Sequence, residues 1–284
     1  MDTLAAQLEA ARVYFGHGTA SSRDEAAAVI YHVMGLDHAD PEAYDRSVDA
    51  ASLERIRGLV QERIGSRRPL PYVLGEAWFA GLPFFVDERV LIPRSPFAEL
   101  LTGALYTWVE PDTVRRVLEI GTGCGCIAVA AARAFPNATI VATDIAPEAL
   151  EVAARNVARH GLVERISLVA GDLYAGVEGP FDLILSNPPY VPEGELARLP
   201  PEYAHEPRVA FVSGPDGMEL PARILHHAPR YLAPDGWLAI EVGGGAGLLE
   251  QRFPRVPFTW PEFRHGGDGI ALVSAGDLVA GLRS

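Results

Sequence analysis

The sequence predicts an α/β fold in which a doubly wound, mostly parallel sheet follows a small helical domain, with a β-hairpin between them. Three observations carry that prediction. A short apolar strand runs into a glycine-rich loop and then a helix at 116–135, the unit from which such sheets are built. Three further apolar runs end in polar residues at Asp144, Asp172 and Asn187, the pattern expected where parallel strand ends open onto a ligand crevice. Before them, residues 1–75 keep their apolar side chains three or four apart, which is helical spacing.

In chain order, Leu4, Leu8, Ala11 and Phe15 form one helical stripe, and Leu53, Ile56, Leu59, Val60 and Ile64 another. Residues 1–75 are therefore expected to be a helical domain whose apolar faces pack together and whose polar faces are solvated. From Trp78 to Arg94, aromatic residues alternate with small or polar ones around turn formers, which predicts a β-hairpin within a linking segment, 76–100. Residues 101–284 then make the α/β domain.

The first strand of that domain, Arg116 to Ile120, leads into Gly121-Thr122-Gly123-Cys124-Gly125-Cys126 and an alanine-rich helix ending near Phe135. Alternate glycines allow left-handed φ and bring backbone close to a ligand, and the helix start offers free N–H groups. The spacing, Gly-x-Gly-x-Gly with Glu119 two positions ahead, departs from the dinucleotide pattern Gly-x-Gly-x-x-Gly and resembles S-adenosylmethionine sites. The next strand, Thr139 to Thr143, ends in Asp144, 23 positions after Gly121, where a carboxylate accepts both ribose hydroxyls. Capping of the helix expected over Pro147 to His160 is the alternative. A third strand, Arg165 to Ala170, ends at Gly171-Asp172-Leu173. There Asp172 is expected to accept an adenine amino group and Leu173 to pack on the ring, with a cap or turn as the alternative for Asp172.

The fourth strand, Phe181 to Ser186, closes on Asn187-Pro188-Pro189-Tyr190. Two prolines fix φ and lack N–H groups, so the Asn187 amide oxygen and the Pro188 carbonyl are free to point into a pocket as paired acceptors for a flat NH2 group. Tyr190 then covers that group with its ring. A proline-rich strand end is the alternative reading, and the upstream units weigh against it.

With these motifs assembled, the chain from about residue 115 resembles the class I S-adenosylmethionine-dependent methyltransferases. That resemblance implies a seven-stranded sheet whose last strand runs antiparallel, completed by strands near Phe258 to Trp260 and Gly269 to Ser274. Asn-Pro-Pro-Tyr is similar to the turn of glutamine side-chain methyltransferases and of adenine amino-methyltransferases. The run Ala77 to Leu101, with Pro93-Arg94-Ser95-Pro96, resembles the protein glutamine methyltransferases of translation, in the branch acting on large-subunit ribosomal protein three. The release-factor branch continues its Pro-Arg-Pro with Asp-Thr-Glu, and this chain departs from it there. Tyr14 to Thr19, Tyr203 to Pro207, Phe258-Thr259-Trp260 and Gly266-Gly267-Asp268-Gly269 extend the likeness to nearly the whole chain.

The resemblance implies S-adenosyl-L-methionine as cofactor and methyl transfer to the amide nitrogen of a glutamine in large-subunit ribosomal protein three. It assigns Glu119, Gly121, Thr122, Gly123, Cys124 and Gly125 to the methionine part, Asp144 to the ribose, and Asp172 with Leu173 to the adenine. Asn187, Pro188, Pro189 and Tyr190 form the catalytic turn, with Asn187 also at the cofactor. Residues 1–75 would recognise the protein substrate and 101–284 would be catalytic. Arg94 and Glu99 either shape the pocket or form a surface ion pair. Pro192 to Gly217 is expected to arch over the pocket, and a helix from Met218 to Leu232 to lead through the Pro234-Asp235-Gly236 turn into a strand from Trp237 to Val242. Glu241 and Gly243 to Gly245 are expected to serve the sheet edge. Release-factor glutamine methylation, adenine amino-methylation of nucleic acid, and nucleotide binding without turnover remain as other readings.

Composition narrows these. At 284 residues, 49% hydrophobic and 21% charged, the chain suits one large core plus a small domain. A net charge of −13 with thinly spread Lys and Arg argues against direct sequence-specific nucleic-acid binding and suits either a cationic protein partner or plain solubility. No apolar run approaches the roughly 18–20 residues of a membrane span. The acidic, amphipathic start lacks signal-peptide character, so a cytoplasmic location without membrane contact is expected. Cys124 and Cys126, two apart in the glycine loop, suit neither a structural disulfide nor zinc, and no metal site is expected.

Overall fold

The computed structural model describes residues 1–36, 43–264 and 269–283. Gly266, Gly267 and Asp268, quoted above, lie outside them. The chain opens with four helices: α1 (Asp2–Ala10), α2 (Ser22–Met34), α3 (Ala50–Ser66) and α4 (Leu70–Leu74). Ser21 caps α2 by accepting the Asp24 N–H, and Asp49 caps α3 by accepting that of Ser52. Leu4, Leu8, Val29, Ile56 and Val60 meet in a shared core, as the spacing predicts. The polar faces are not simply solvated, however. Glu25 and Arg63 are buried and paired at 3.3 Å, because the bundle's inner face abuts further protein rather than water.

Strands β1 (Glu76–Phe79) and β2 (Leu82–Phe85) form the expected hairpin, with Phe79 opposite Leu82. Its two turn residues, Ala80 and Gly81, have φ of 49° and 74°, the positive values that a two-residue hairpin turn demands. Phe79, Phe84 and Val86 sink into the same core as Phe97 on α5 (Phe97–Leu101).

The α/β domain then runs β3 (Arg116–Ile120), α6 (Cys126–Ala134), β4 (Thr139–Asp144), α7 (Pro147–Arg159), β5 (Ile166–Ala170), β6 (Phe181–Ser186), α8 (Glu219–His227), β7 (Leu232–Glu241), α9 (Ala246–Arg252), β8 (Ile270–Ser274) and α10 (Ala275–Arg283). The sheet order is β5-β4-β3-β6-β7-β8, parallel throughout except for β8. The chain winds outward from β3 to β5 and then returns to β6, so the switch point lies between β3 and β6. Side chains alternate across the sheet: Val117, Leu183, Ala239 and Leu272 face α6 and α7, whereas Leu118, Ile184, Leu238 and Val273 face the helices of the other layer.

Among the described residues the sheet has six strands, not the expected seven. Phe258 to Trp260 contributes one bridge, in which Thr259 and Leu272 exchange both backbone hydrogen bonds at 2.9 and 2.8 Å. In an antiparallel ladder the next bonded positions on that strand are two residues either way, and these are Pro257 and Pro261. Neither has an N–H to donate, so the ladder stops. A second departure is that β7 begins at Leu232 and not at Trp237. Phe181 pairs with Leu232 and Leu183 with Trp237, so the Pro234-Asp235-Gly236 turn is a bulge within the strand.

Asn156 on α7 joins three parts of this architecture. Its side chain is fully buried, accepts the Phe85 N–H at 2.8 Å, and donates to the carbonyls of Phe85 and Cys124 at 2.9 and 2.8 Å. Hairpin, helix and glycine loop thus share one amide. Asn156→Ala should lower stability by about 2–4 kcal/mol in urea denaturation, because it strands several inward-facing backbone groups. A loss below about 1 kcal/mol would mean that the three parts hold together without it.

Candidate active site

The glycine loop follows from local sequence. Gly121, Gly123 and Gly125 have φ of 77°, 54° and 82°, and a side chain on Gly125 would stand 3.3 Å from the Ala153 Cβ on α7. The Gly121 and Thr122 N–H groups both donate to the Thr143 carbonyl at 2.9 Å, which fastens the loop to the end of β4. Asp144, next in line, accepts the Gly123 N–H on Oδ2 at 2.8 Å and the Ala146 N–H on Oδ1 at 2.9 Å. Asp144 therefore does not cap α7, whose cap position is Ala146 with no side-chain bond; it ties the glycine loop to the turn before that helix. This leaves each oxygen a further acceptor position.

Loop, Asp144 and the later strand ends surround a cavity of about 260 Å³ at the switch point. Gly121, Gly123, Asp144, Asp172, Leu173, Asn187, Pro188 and Pro189 all line it. Asp172 is exposed and its Oδ2 pairs with Arg223, another lining residue, at 2.6 Å. Leu173 holds a φ of 54°, a strained value for a residue with a side chain, and its carbonyl accepts the Thr143 hydroxyl at 3.0 Å. Ile145 also lines the cavity and is 60% exposed, an uncovered apolar side chain that the sequence reading passed over. Its position directly after Asp144 was the available signal. The 192–217 segment does reach over the pocket, supplying Pro207, Val209, Ala210 and Val212.

Other predicted site residues stand one layer back. Glu119, Thr122, Cys124 and Gly125 are buried and do not line the cavity. Glu119 Oε2 accepts the Thr122 hydroxyl at 2.6 Å, while Oε1 has no partner. Burial first, and the charge of Asp144 second, push its carboxyl from 4.5 up to about 8, against the Thr122 hydrogen bond. Tyr190 also stays off the cavity wall, and its hydroxyl donates to Glu241 Oε1 at 2.9 Å. Glu241 was expected to serve the sheet edge rather than the chemistry. As the last residue of β7 it instead opens on the same carboxyl-end face as the turn after β6, where Oε2 also accepts the Ser95 hydroxyl.

Arg94 and Glu99 do not shape the cavity either. Glu99 accepts the Arg264 N–H at 2.8 Å. Arg94 forms a two-pronged pair with Glu206, both contacts at 2.9 Å, and the Glu206 side chain is fully buried, so this is no surface ion pair. Glu206 also accepts the Ile92 N–H at 3.0 Å and stands 2.9 Å from His17 Nε2. Because a carboxylate only accepts, that nitrogen carries the proton. Burial alone would raise the Glu206 carboxyl, but the His17 hydrogen bond and the Arg94 charge hold it below the usual range. Three motifs far apart in sequence, around His17, Arg94 and Glu206, therefore meet at one carboxylate. Nearby, Glu202 accepts the Tyr14 N–H at 3.0 Å and Arg67 at 2.5 Å.

A second cavity of about 330 Å³, between the helical bundle and the hairpin, lacks the glycine loop and the strand-end acceptors. The smaller one is therefore the candidate site.

Two predictions follow from these carboxylates. Glu206→Ala leaves the Arg94 guanidinium and the buried His17 ring without their acceptor and should cost about 3–5 kcal/mol in chemical denaturation; a cost under about 1 kcal/mol would remove Glu206 from this role. The second concerns pH. The folded-state values of Glu119 and Glu241, about 8 and about 7, lie above the unfolded 4.5. Their stabilising contribution is full below the unfolded value and is lost as pH rises through the folded ones. The urea midpoint of the ligand-free protein should thus fall between about pH 5 and pH 8.5, and Glu119→Gln should flatten the upper part of that slope. An unchanged slope in the variant would refute the assignment to Glu119.

Known proteins resemble this chain in sequence and in fold. The model of the methyltransferase small domain family matches residues 99–198, from α5 through the turn after β6. The ribosomal protein uL3 glutamine methyltransferase of Francisella tularensis is 40% identical over 276 residues, covering 96% of this chain and 88% of that protein. Its counterpart in Bordetella pertussis is 43% identical over 278 residues, covering 96% and 92%. Among solved structures, the catalytic domain of hMettl16, determined in complex with a MAT2A 3'UTR hairpin, superposes with a TM-score of 0.55 at 20% identity, covering 80% of this chain and 82% of that one, and shares the fold. The matched length covers 96% of the chain in each case, and the chain belongs to the ribosomal protein uL3 glutamine methyltransferase family.

Proposed function

We propose that this protein transfers a methyl group from S-adenosyl-L-methionine to the side-chain amide nitrogen of a glutamine in large-subunit ribosomal protein uL3. The observation that carries the proposal is that Asn187, Pro188 and Pro189 line the same cavity as Gly121, Gly123 and Asp144.

The residues present fit the cofactor. Glu119 keeps a buried, unpartnered oxygen behind the loop, an acceptor suited to the ammonium of an amino acid. Gly121 to Gly125 allow close backbone approach. Asp144 retains acceptor positions for ribose hydroxyls, and Ile145 and Leu173 offer apolar surface to a purine whose amino group Asp172 accepts. When bound, the cofactor supplies a methyl group made electrophilic by its sulfonium.

The substrate's chemistry sets the task of the turn. A carboxamide nitrogen delocalises its lone pair into the carbonyl and is a poor nucleophile. The Asn187 amide oxygen and the Pro188 carbonyl accept its two N–H groups, draw electron density onto nitrogen and stabilise the positive charge that grows there. Holding the amide in line contributes on the order of 7–11 kcal/mol. The turn has no need of a general base before attack, since the amide proton becomes strongly acidic only after the methyl has arrived. Residues 1–75 recognise the protein substrate, and the chain's net charge of −13 favours encounter with a cationic one.

Asn187→Ala should lower kcat by about a hundred- to a thousandfold while the dissociation constant for S-adenosylmethionine stays within about threefold; equal loss of both would dispose of the assigned role. The wider reading is tested by offering labelled S-adenosylmethionine with unmethylated uL3, unmethylated release factor and nucleic acid side by side. Label on a glutamine of uL3 alone is expected. Label on release factor or on nucleic acid would overturn the substrate assignment.

A further inference from the structure

The turn Asn187 to Tyr190 is anchored at both ends. At its start, Ser186 is laddered between Ile120 and Ile240, and its hydroxyl donates to the Ile120 carbonyl at 2.8 Å. At its end, Tyr190 is confined on three sides. Its hydroxyl donates to Glu241 at 2.9 Å. Its ring lies against Gly243, where an added Cβ would fall 2.7 Å from ring carbon Cε2. Its carbonyl lies against Gly217, where a Cβ would fall 2.1 Å from the oxygen. Between the anchors stand two prolines whose φ cannot adjust, so fixing Tyr190 narrows the paths open to the backbone that carries Asn187 and Pro188.

Glu241 is the polar group at the far anchor. It is 4% exposed and accepts two hydroxyls, Tyr190 on Oε1 and Ser95 on Oε2. As a carboxylate it satisfies both donors at once. Protonated, one of its oxygens becomes a donor and a weaker acceptor, so the hydroxyl held there must turn to accept or is held less firmly.

We infer that Glu241 is a positioning residue for methyl transfer: as a carboxylate it holds the Tyr190 hydroxyl, and through the rigid turn it sets the Asn187 and Pro188 acceptors on the substrate amide. Nothing about the sheet edge requires such a group, since its ladder partner across β8 is the apolar Ile270. The charged group that bears on Glu241 is the Arg94 guanidinium, and the titratable one touching it is Tyr190, itself raised by burial and by the Glu241 charge. Burial pushes Glu241 up to about 7, against the Ser95 and Tyr190 hydrogen bonds and Arg94. The anchor consequently loosens as pH falls through that value.

This inference rests on the glutamine methyl-transfer reading, and its test has one arm that needs no turnover. In protein labelled with 3-fluorotyrosine, the Tyr190 signal, identified by its absence in Tyr190→Phe, should titrate near pH 7. It should become flat in Glu241→Gln, and its midpoint should rise in Ser95→Ala. A flat wild-type signal, or one that titrates unchanged in Glu241→Gln, overturns the inference. In the kinetic arm, Glu241→Gln and Tyr190→Phe should each lower kcat by about tenfold and the double variant by about the same tenfold, with S-adenosylmethionine binding within about threefold. A hundredfold loss in the double variant, about the product of the singles, means that the two act independently and likewise overturns it. If the wild type labels no glutamine at all, the proposed function fails, and the fluorine signal still decides the link between Glu241 and Tyr190.

Discussion

The buried carboxylate of Glu206 is the interaction on which the arrangement of this molecule depends. It takes His17 from the helical bundle, the Ile92 N–H and the Arg94 guanidinium from the segment after the hairpin, and it belongs to the excursion that follows the turn after β6. A carboxylate can be buried only if its lone pairs are filled and its charge is met. The segments that meet those needs are the ones that must be brought together. Val90 and Leu91, just before Ile92, line the cavity, as do Pro207 and Val209, just after Glu206. The outer wall of the site thus hangs from a bracket that never touches it. Arg94 also lies over the Tyr203 ring, 5.2 Å from its centroid, so the bracket is packed as well as paired.

Neighbouring residues divide two networks between them. Arg94 goes to Glu206, and Ser95 goes to Glu241, which in turn holds Tyr190. One dipeptide therefore couples the placement of the helical bundle to the placement of the turn. The glycine loop is supported separately, from behind by Glu119 and from the side by Asn156.

Much of the site could be read before the fold was seen. Asp144, Asp172, Leu173 and Asn187 sit where parallel strands must end, and strand ends in such a sheet share one face whatever the details of packing. Pro257 and Pro261 even carry the reason for the missing seventh strand, since their spacing matches the bonded positions of an antiparallel ladder. What could not be read were the partners of Tyr190, Arg94, Glu99 and Glu241, all of them distant in sequence. Ser95 and Glu241 are 146 positions apart, and Arg94 and Glu206 are 112 apart.

The division has a physical cause. Periodicity, glycine spacing and proline act on the backbone locally, and they alone determined the helical start, the hairpin, the order of strand and loop, and the rigid turn. Which buried carboxylate pairs with which donor is settled by desolvation, a property of the finished interior that no local pattern encodes. For that reason the sequence by itself determined where the ligand-facing backbone lies, and only the tertiary structure decided which charges stand behind it and hold it in place.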